Sequence, residues 1–226
     1  MTEVFAICTG QPKPFRGSET SAIGKRPVEG PVGIGTLGIA GDSVADTKHH
    51  GGVDMAVHHY PHDHYARWQE WLGDHPLLSE PAAFGENLMA SGLTEDSVHI
   101  GDRFRFGSTL LEISQPRQPC WKIEHRFDRK GMVAHIIERH DCGWYYRVIE
   151  EGMAEAGDLL ECVETGHGDW TVARVFAALY DPAHRPSHGE LQDITALDPL
   201  CEGWRDKARK RLEAYRFVAQ ERSAHR

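Results

Sequence analysis

Close cysteine pairs are absent from this 226-residue sequence. Cys8, Cys120, Cys142, Cys162 and Cys201 are odd in number, far apart, and form no C-x-x-C. That spacing argues against a disulfide framework in a reducing compartment. It also argues against a four-thiolate zinc site or a ferredoxin-type cluster, both of which need neighbouring ligands. Any cysteine chemistry rests on a single thiol. Positive charge is scarce too: 25 Lys and Arg against 34 Asp and Glu leave a formal net charge of −9. Such a balance argues against a general nucleic-acid or anionic-membrane partner. No apolar run approaches the ~20 residues of a membrane-spanning helix. The opening MTEVFAICTG lacks the basic start and long apolar core of a signal peptide, so a cytoplasmic protein is expected. What is present is apolar mass for a sizeable core, 40% hydrophobic residues with 8 Phe, 6 Tyr and 6 Trp. Histidine, at 15, and glycine, at 23, are the other notable counts.

The first two-thirds reads as short strands broken by Gly and Pro. Val4–Cys8 and Ser21–Lys25 are β-leaning runs, and the glycines between 30 and 41 are too dense for a helix interior. Arg103–Phe106 and Thr109–Gln115, joined by Gly107-Ser108, predict a hairpin with Phe104 and Phe106 on one face. Gly143–Ile149 and Asp158–Val163 predict two more strands, and many short strands point to a barrel or closed sheet. Helices are expected over Pro61–Leu72 and Gly131–His140. After about residue 167 the texture turns helical. Val172, Val175, Phe176 and Leu179 form one apolar stripe, with Asp169 or Thr171 as its N-cap. A short segment near Gln192–Leu197 follows, then a longer one from Glu202 to about Ala219 carrying Trp204, Ala208, Leu212 and Tyr215. Three such helices hide their stripes by packing together or against the barrel.

Three clusters hold chemical groups. Between positions 49 and 64 stand six histidines: His49, His50, His58, His59, His62 and His64. Imidazole ligates zinc, copper and iron, but no H-E-x-x-H occurs, and Pro61 separates His58 from His62. Partly exposed polar histidine is the commoner reading for most of them. His50 differs, because it precedes Gly51-Gly52, a pair suited to a tight turn or to close approach of a ligand. The second cluster is Phe84–Leu88, FGENL, where Glu86 either braces a turn, the more frequent use, or faces a ligand. The third is SQPRQPC, Ser114–Cys120. Its two prolines stiffen the strand exit from which Arg117 and Cys120 project. A lone Cys is most often a small buried hydrophobe, but positive charge nearby, here Arg117 and Lys122, favours the thiolate that binds metal or attacks. Arg117 also suits a phosphate through paired hydrogen bonds.

In order along the chain, GD…AD…HHGG-x-D-x-AVHHYP-x-x-HY-x-x-W, FGENL…GLTE…IGDRFRFG and QPR-x-PC resemble the MOSC domain, and within it the bacterial YiiM group. The resemblance runs from about Ser21 to the C-terminal helices. It implies a mainly β fold with helices: a MOSC-type β-barrel over 1–166 and a small three-helix module over 167–226. It also implies the molybdenum cofactor, a pterin that holds its metal through a dithiolene and ends in a phosphate. Cys120 matches the motif cysteine expected to ligate molybdenum. Arg117, from the same motif, is taken as a cofactor or substrate contact. His50-Gly51-Gly52 and Gly85-Glu86-Asn87 match two further motifs, the second placed on the pocket wall. Ser21 and Lys25 are taken to reach the phosphate or pterin. Thiolate sulfur is a soft ligand that suits a dithiolene-held metal. Lys25, Arg26, Lys48, Arg103, Arg105, Arg117, Lys122 and Arg126 are the candidate positive charges for an anionic cofactor.

Members of the group reduce small N-hydroxylated compounds, such as hydroxylaminopurines, hydroxylamines and amidoximes, to the amine. The same activity is expected here, with the redox chemistry supplied by the cofactor. His50 is the candidate proton donor or orienting group, since free imidazole titrates at about pH 6.5. No Gly-rich flavin or nicotinamide fingerprint follows a strand, so a separate reductase, a flavoprotein by preference, is implied as electron donor. The helices can serve as a lid, a homodimer interface or a dock, with covering apolar area ranked first. Three rivals stay open: a cofactor carrier without turnover, a zinc or iron hydrolase built on the histidines, and nucleic-acid binding by the last helix. That helix carries Arg205, Lys207, Arg209, Lys210, Arg211 and Arg216.

Overall fold

The computed structural model describes residues 1–46 and 50–224, with side chains through residue 215. Lys48, His49 and the side chain of Arg216 lie outside the described residues. The early strands are β1 (Thr2–Thr9), β2 (Lys13–Arg16), β3 (Glu19–Ser21), β4 (Arg26–Pro27), β5 (Val32–Gly35) and β6 (Gly38–Ile39). The middle of the chain adds β7 (Val57–His59), β8 (Leu88–Ala90), β9 (Arg103–Phe106) and β10 (Thr109–Pro116). Last come β11 (Trp144–Glu150), β12 (Gly152–Ala154) and β13 (Leu159–Glu164).

Seven of these close a barrel in the order β13-β9-β10-β11-β7-β8-β1, and β1 returns to β13 through Thr2↔Leu160 and Glu3↔Leu159. Closure leaves no exposed edge within the ring. Neighbours are antiparallel except β7 and β8, which run parallel at His59↔Leu88. The far end of β1 pairs with β4 instead, Cys8 opposite Pro27. Side-chain alternation drives the closure. On β9, Phe104 and Phe106 are buried while Arg103 and Arg105 reach outward to carboxylates of neighbouring strands. Strand β10 is buried at every position, because one face fills the barrel and a helix covers the other.

The helices are α1 (Tyr65–Leu72), α2 (Lys122–Arg126), α3 (Met132–Arg139), α4 (Val172–Tyr180), α5 (His188–Thr195) and α6 (Glu202–Ala224). Thr171 caps α4 by accepting from the Arg174 amide. Ser187 and Glu190 form a reciprocal capping box on α5, which explains why that helix starts ahead of the expected Gln192. Helix α6 runs past Ala219 to Ala224. The expected helix from Pro61 begins as a 3-10 turn, His62–His64, and becomes α-helical only at Tyr65.

One expected strand is corrected. Of Ser21–Lys25, only Ser21 is in a strand, at the end of a β2–β3 hairpin. Lys25 turns inward to an ion pair with Asp42, and Ala22 O lies so near Gly10 that a Cβ there would meet it at 2.7 Å. The segment follows those anchors rather than a ladder.

The β9–β10 turn depends on Gly107, whose φ is 54° and whose missing Cβ would stand 2.3 Å from Met153 O. Gly107→Val is expected to cost about 2 kcal/mol of stability. Urea denaturation would show this as a lower midpoint with an unchanged slope.

Candidate active site

Strand β10 ends at Pro116, and the loop that follows turns sharply into α2. Two hydrogen bonds hold it: Arg117 N donates to Gly143 O at 2.9 Å, and Ile123 N donates to Cys120 O at 3.1 Å. Pro119 stiffens the stretch between. Cys120 is thereby left half-buried, with its side chain unbridged. It borders two adjoining cavities of about 590 and 1020 Å³. Their shared wall includes His50, Gly51, Gly52, Cys120, Lys122 and Tyr145.

Arg117 lines the smaller cavity and is 6% exposed, and its Nη1 has no hydrogen-bond partner among the described residues. The guanidinium is hydrogen-bonded to Tyr145, whose ring lies 4.9 Å from that of His58. Burial above all, then the Arg117 charge, drives the His58 imidazole well below its usual range. His58 therefore stands as a neutral ring beside a cation. On the other side, Lys25 pairs with Asp42, and burial lowers the lysine while Asp42 opposes the shift. Asp42 also accepts from Gly10 N at 2.8 Å and from Asn87 Nδ2 at 2.7 Å. Asn87 in turn donates to Cys8 O and accepts from His58 N, tying β1 to β7.

A profile of the MOSC domain matches residues 46–161, and one of the YiiM-like 3-alpha helix domain matches residues 170–214. The chain belongs to the MOSC domain family. It is 40% identical to Protein YiiM of Escherichia coli (strain K12), over 91% of this chain and 90% of that protein. A protein named Reductase from Gibberella moniliformis (strain M3125 / FGSC 7600) is 35% identical over 88% of this chain, which spans 35% of its length. The crystal structure of YiiM from Geobacillus stearothermophilus matches with a TM-score of 0.79 at 32% identity, covering 94% of this chain and all of that one. MOSC domains often bind the molybdenum cofactor.

The MOSC motif residues mostly converge. Ser21, Lys25, His50, Gly51, Asn87, Arg117 and Cys120 all line the smaller cavity. Gly51 and Gly52 have φ of 81° and 88°, the left-handed geometry expected of that pair. Glu86 is the exception. Its carboxylate is fully buried, accepts from the Tyr65 hydroxyl and from Phe84 N, and does not border either cavity. Burial raises its pKa, with the Tyr65 bond opposing. Glu86 braces the loop, because α1 brings Tyr65 to it. The candidate cations also divide. Arg126 is spent on the Ala82 and Ala83 carbonyls, while Arg103 and Arg105 pair with carboxylates on the barrel's outer face. Lys25, Arg117 and Lys122 are the described members of that set at the cavities.

The other histidines go elsewhere. His59 stacks on Trp144 at 4.3 Å, and His64 meets Glu95 at 2.7 Å beneath the start of β11. Among the described residues, no three His, Cys, Asp or Glu side chains are grouped to hold a metal. Nor is any described helix long and apolar enough to cross a membrane. Other thiols differ from Cys120: burial raises Cys8 to about 12 and pushes the Cys142 thiol well up, and Cys201, which borders only the larger cavity, is raised by burial to about 11. Tyr145 carried no signal in the sequence, and His58 was read there only as one of six clustered histidines, since pairing of distant strands is what puts both at the site.

His58 and His59 link stability to pH. In the unfolded chain both rings take a proton near the ordinary value of 6.5, whereas burial holds His59 down to about 3 in the fold. Below 6.5 the unfolded chain binds more protons, so stability falls as pH falls through that window. Thermal melts from pH 7 to 4 are expected to show a declining Tm and a shallower decline in His59→Phe. An identical slope in the variant would contradict this account.

Proposed function

We propose that this chain is a molybdenum-cofactor-dependent reductase of N-hydroxylated compounds, with the Cys120 thiolate as the protein's metal ligand and the cytoplasm as its setting. The observation that carries the reading is Cys120 at the junction of two cavities, with a buried guanidinium in the same lining whose Nη1 has no hydrogen-bond partner among the described residues. A buried charge left partly unpaired is costly unless a ligand completes it. An anionic cofactor is such a ligand, and a soft thiolate is the donor its metal calls for. The residues present fit the group. The smaller cavity lies within the ~300–1,000 Å³ of ordinary small-molecule sites.

When bound, the cofactor would supply two electrons that, with two protons drawn from solvent and acidic side chains, cleave the substrate's N–O bond to give amine and water. The chain's own contributions are positional. Cys120 anchors the metal, Arg117 Nη1 donates to an acceptor on the cofactor, and Ser21 and Lys25 border the same compartment. Lys25 acts there as half of an ion pair, so its role is orientation more than net charge. His50 borders both cavities and holds the proton needed at the departing oxygen or the amine. His58, neutral and walled in by Tyr145, keeps a second positive charge away from Arg117. Electrons arrive from a separate reductase, for which a flavoprotein is the fitting class.

Expression in a cofactor-competent host, followed by molybdenum and pterin quantification, tests the central bond. Cys120→Ala is expected to lower bound molybdenum at least about tenfold and to abolish reduction of benzamidoxime with a chemical electron donor. Equal molybdenum in both proteins would remove the assignment. Cofactor retained by the wild type without substrate consumption would identify a carrier instead.

A further inference from the structure

The larger cavity has a mixed wall. Cys120 and Trp121 come from the loop after β10 and Lys122 from the start of α2, while Trp204 and Lys207 come from α6. Lys207 is joined to the loop directly: its Nζ donates to Gln118 Oε1 at 3.0 Å, and the Tyr180 hydroxyl of α4 donates to the same oxygen. Two helices therefore grip the residue two positions before Cys120.

Lys207 differs from the described arginines of α6. Arg205 and Arg209 pair with Asp198, Glu202 and Asp206, and Arg211 donates to the Ala178 and Leu179 carbonyls. Among the described residues Lys207 forms no ion pair; its ammonium sits 4.2 Å from the Tyr180 ring centre and 5.1 Å from that of Trp204. Aromatic faces hold a cation in place without cancelling its charge. An ammonium has three donors, and Gln118 takes one. Burial, with the nearby Arg211 charge, pushes Lys207 down to about 8, so it stays largely protonated at neutral pH and gains from an anion.

The cavity also offers a planar surface, because Trp121 on its wall is 37% exposed. Its acids are Glu19, Asp46 and Asp54, the last held by Arg147 at 2.6 Å. An anion is thus welcomed only where the two lysines stand. At about 1020 Å³ the space exceeds what a single heterocyclic base needs.

We infer that α6 forms the specificity wall of the substrate compartment, and that Lys207 recognises a phosphate carried by a planar heteroaromatic substrate. Nucleotides are then preferred over the corresponding nucleosides or bases. This rests on the reductase reading for the N-hydroxyl group, but the phosphate-binding wall stands on its own geometry.

The test uses full-length protein from a cofactor-competent host, titrated calorimetrically with adenosine 5′-monophosphate, adenosine and inorganic phosphate. Wild type is expected to bind the monophosphate about tenfold more tightly than adenosine. Lys207→Gln and Lys207→Met are expected to bring that ratio near one, while Lys207→Arg retains most of it. Lys207→Met keeps the apolar stem on Tyr180 and Trp204, so it serves if Lys207→Gln does not fold. A ratio near one in wild type, or a ratio that survives both substitutions, overturns the inference. So does phosphate alone binding as well as the nucleotide, which would mark an adventitious ion only. Failure of the reductase reading appears in turnover of benzamidoxime by the loaded wild type, whereas this inference is read from the binding ratio alone.

Discussion

The Arg117 guanidinium lines the smaller cavity, and among the described residues its Nη1 has no hydrogen-bond partner. Three acids of the region are committed elsewhere. Asp42 is held by Lys25, Asn87 and the Gly10 amide, Asp54 by Arg147, and Glu86 by Tyr65 and the Phe84 amide. His58 stays neutral because burial and the Arg117 charge both oppose its protonation. In a protein of net charge −9, such commitments leave the Arg117 charge to the anion that the proposed function calls for. The cost of an unpaired buried cation falls on the free fold and is recovered when a ligand completes it.

The barrel makes this possible by holding parts of the chain that lie far apart in sequence. Arg117 is pinned through its amide to Gly143, and Gly143 N is in turn held by Glu95, which also meets His64. A displacement in that buried polar group would move the Cys120 loop. The helices that follow the barrel do more than cover apolar surface. By reaching Gln118 from Tyr180 and Lys207, they share in positioning the same loop and extend the wall of the larger cavity. Of the basic residues on the last helix, Arg205 and Arg209 are engaged in local ion pairs and Arg211 in hydrogen bonds to the Ala178 and Leu179 carbonyls.

How far the sequence could be read depended on the range of the interactions. The β9–β10 hairpin was legible because Phe104, Phe106 and the Gly107-Ser108 turn are neighbours, and α4 was legible through its stripe and Thr171 cap. Cys120 stood out because two prolines and an arginine surround it. Its position at the junction of both cavities, in contrast to buried Cys8 and Cys142 and to Cys201, which borders only the larger one, follows from how β10 ends against β11. Glu86 was misplaced on the pocket wall because its partner Tyr65 lies on a helix 21 positions away. The stretch from Ser21 to Lys25 has β-leaning side chains, yet the buried Lys25–Asp42 pair overrides them.

Local chemistry along the chain thus determined the strand-rich character, the helix caps, the tight turns and the identity of the one thiol set in a stiff, basic loop. Those properties depend on residues a few positions apart, whose interactions survive in any fold that contains them. Only the closed barrel decided which charges cancel and which remain for a ligand. Pairing across it places residues 25, 42 and 87 in one hydrogen-bonded group and leaves Arg117 beside Tyr145 and His58. Net electrostatics at a site depend on distances between side chains, and those are set by packing.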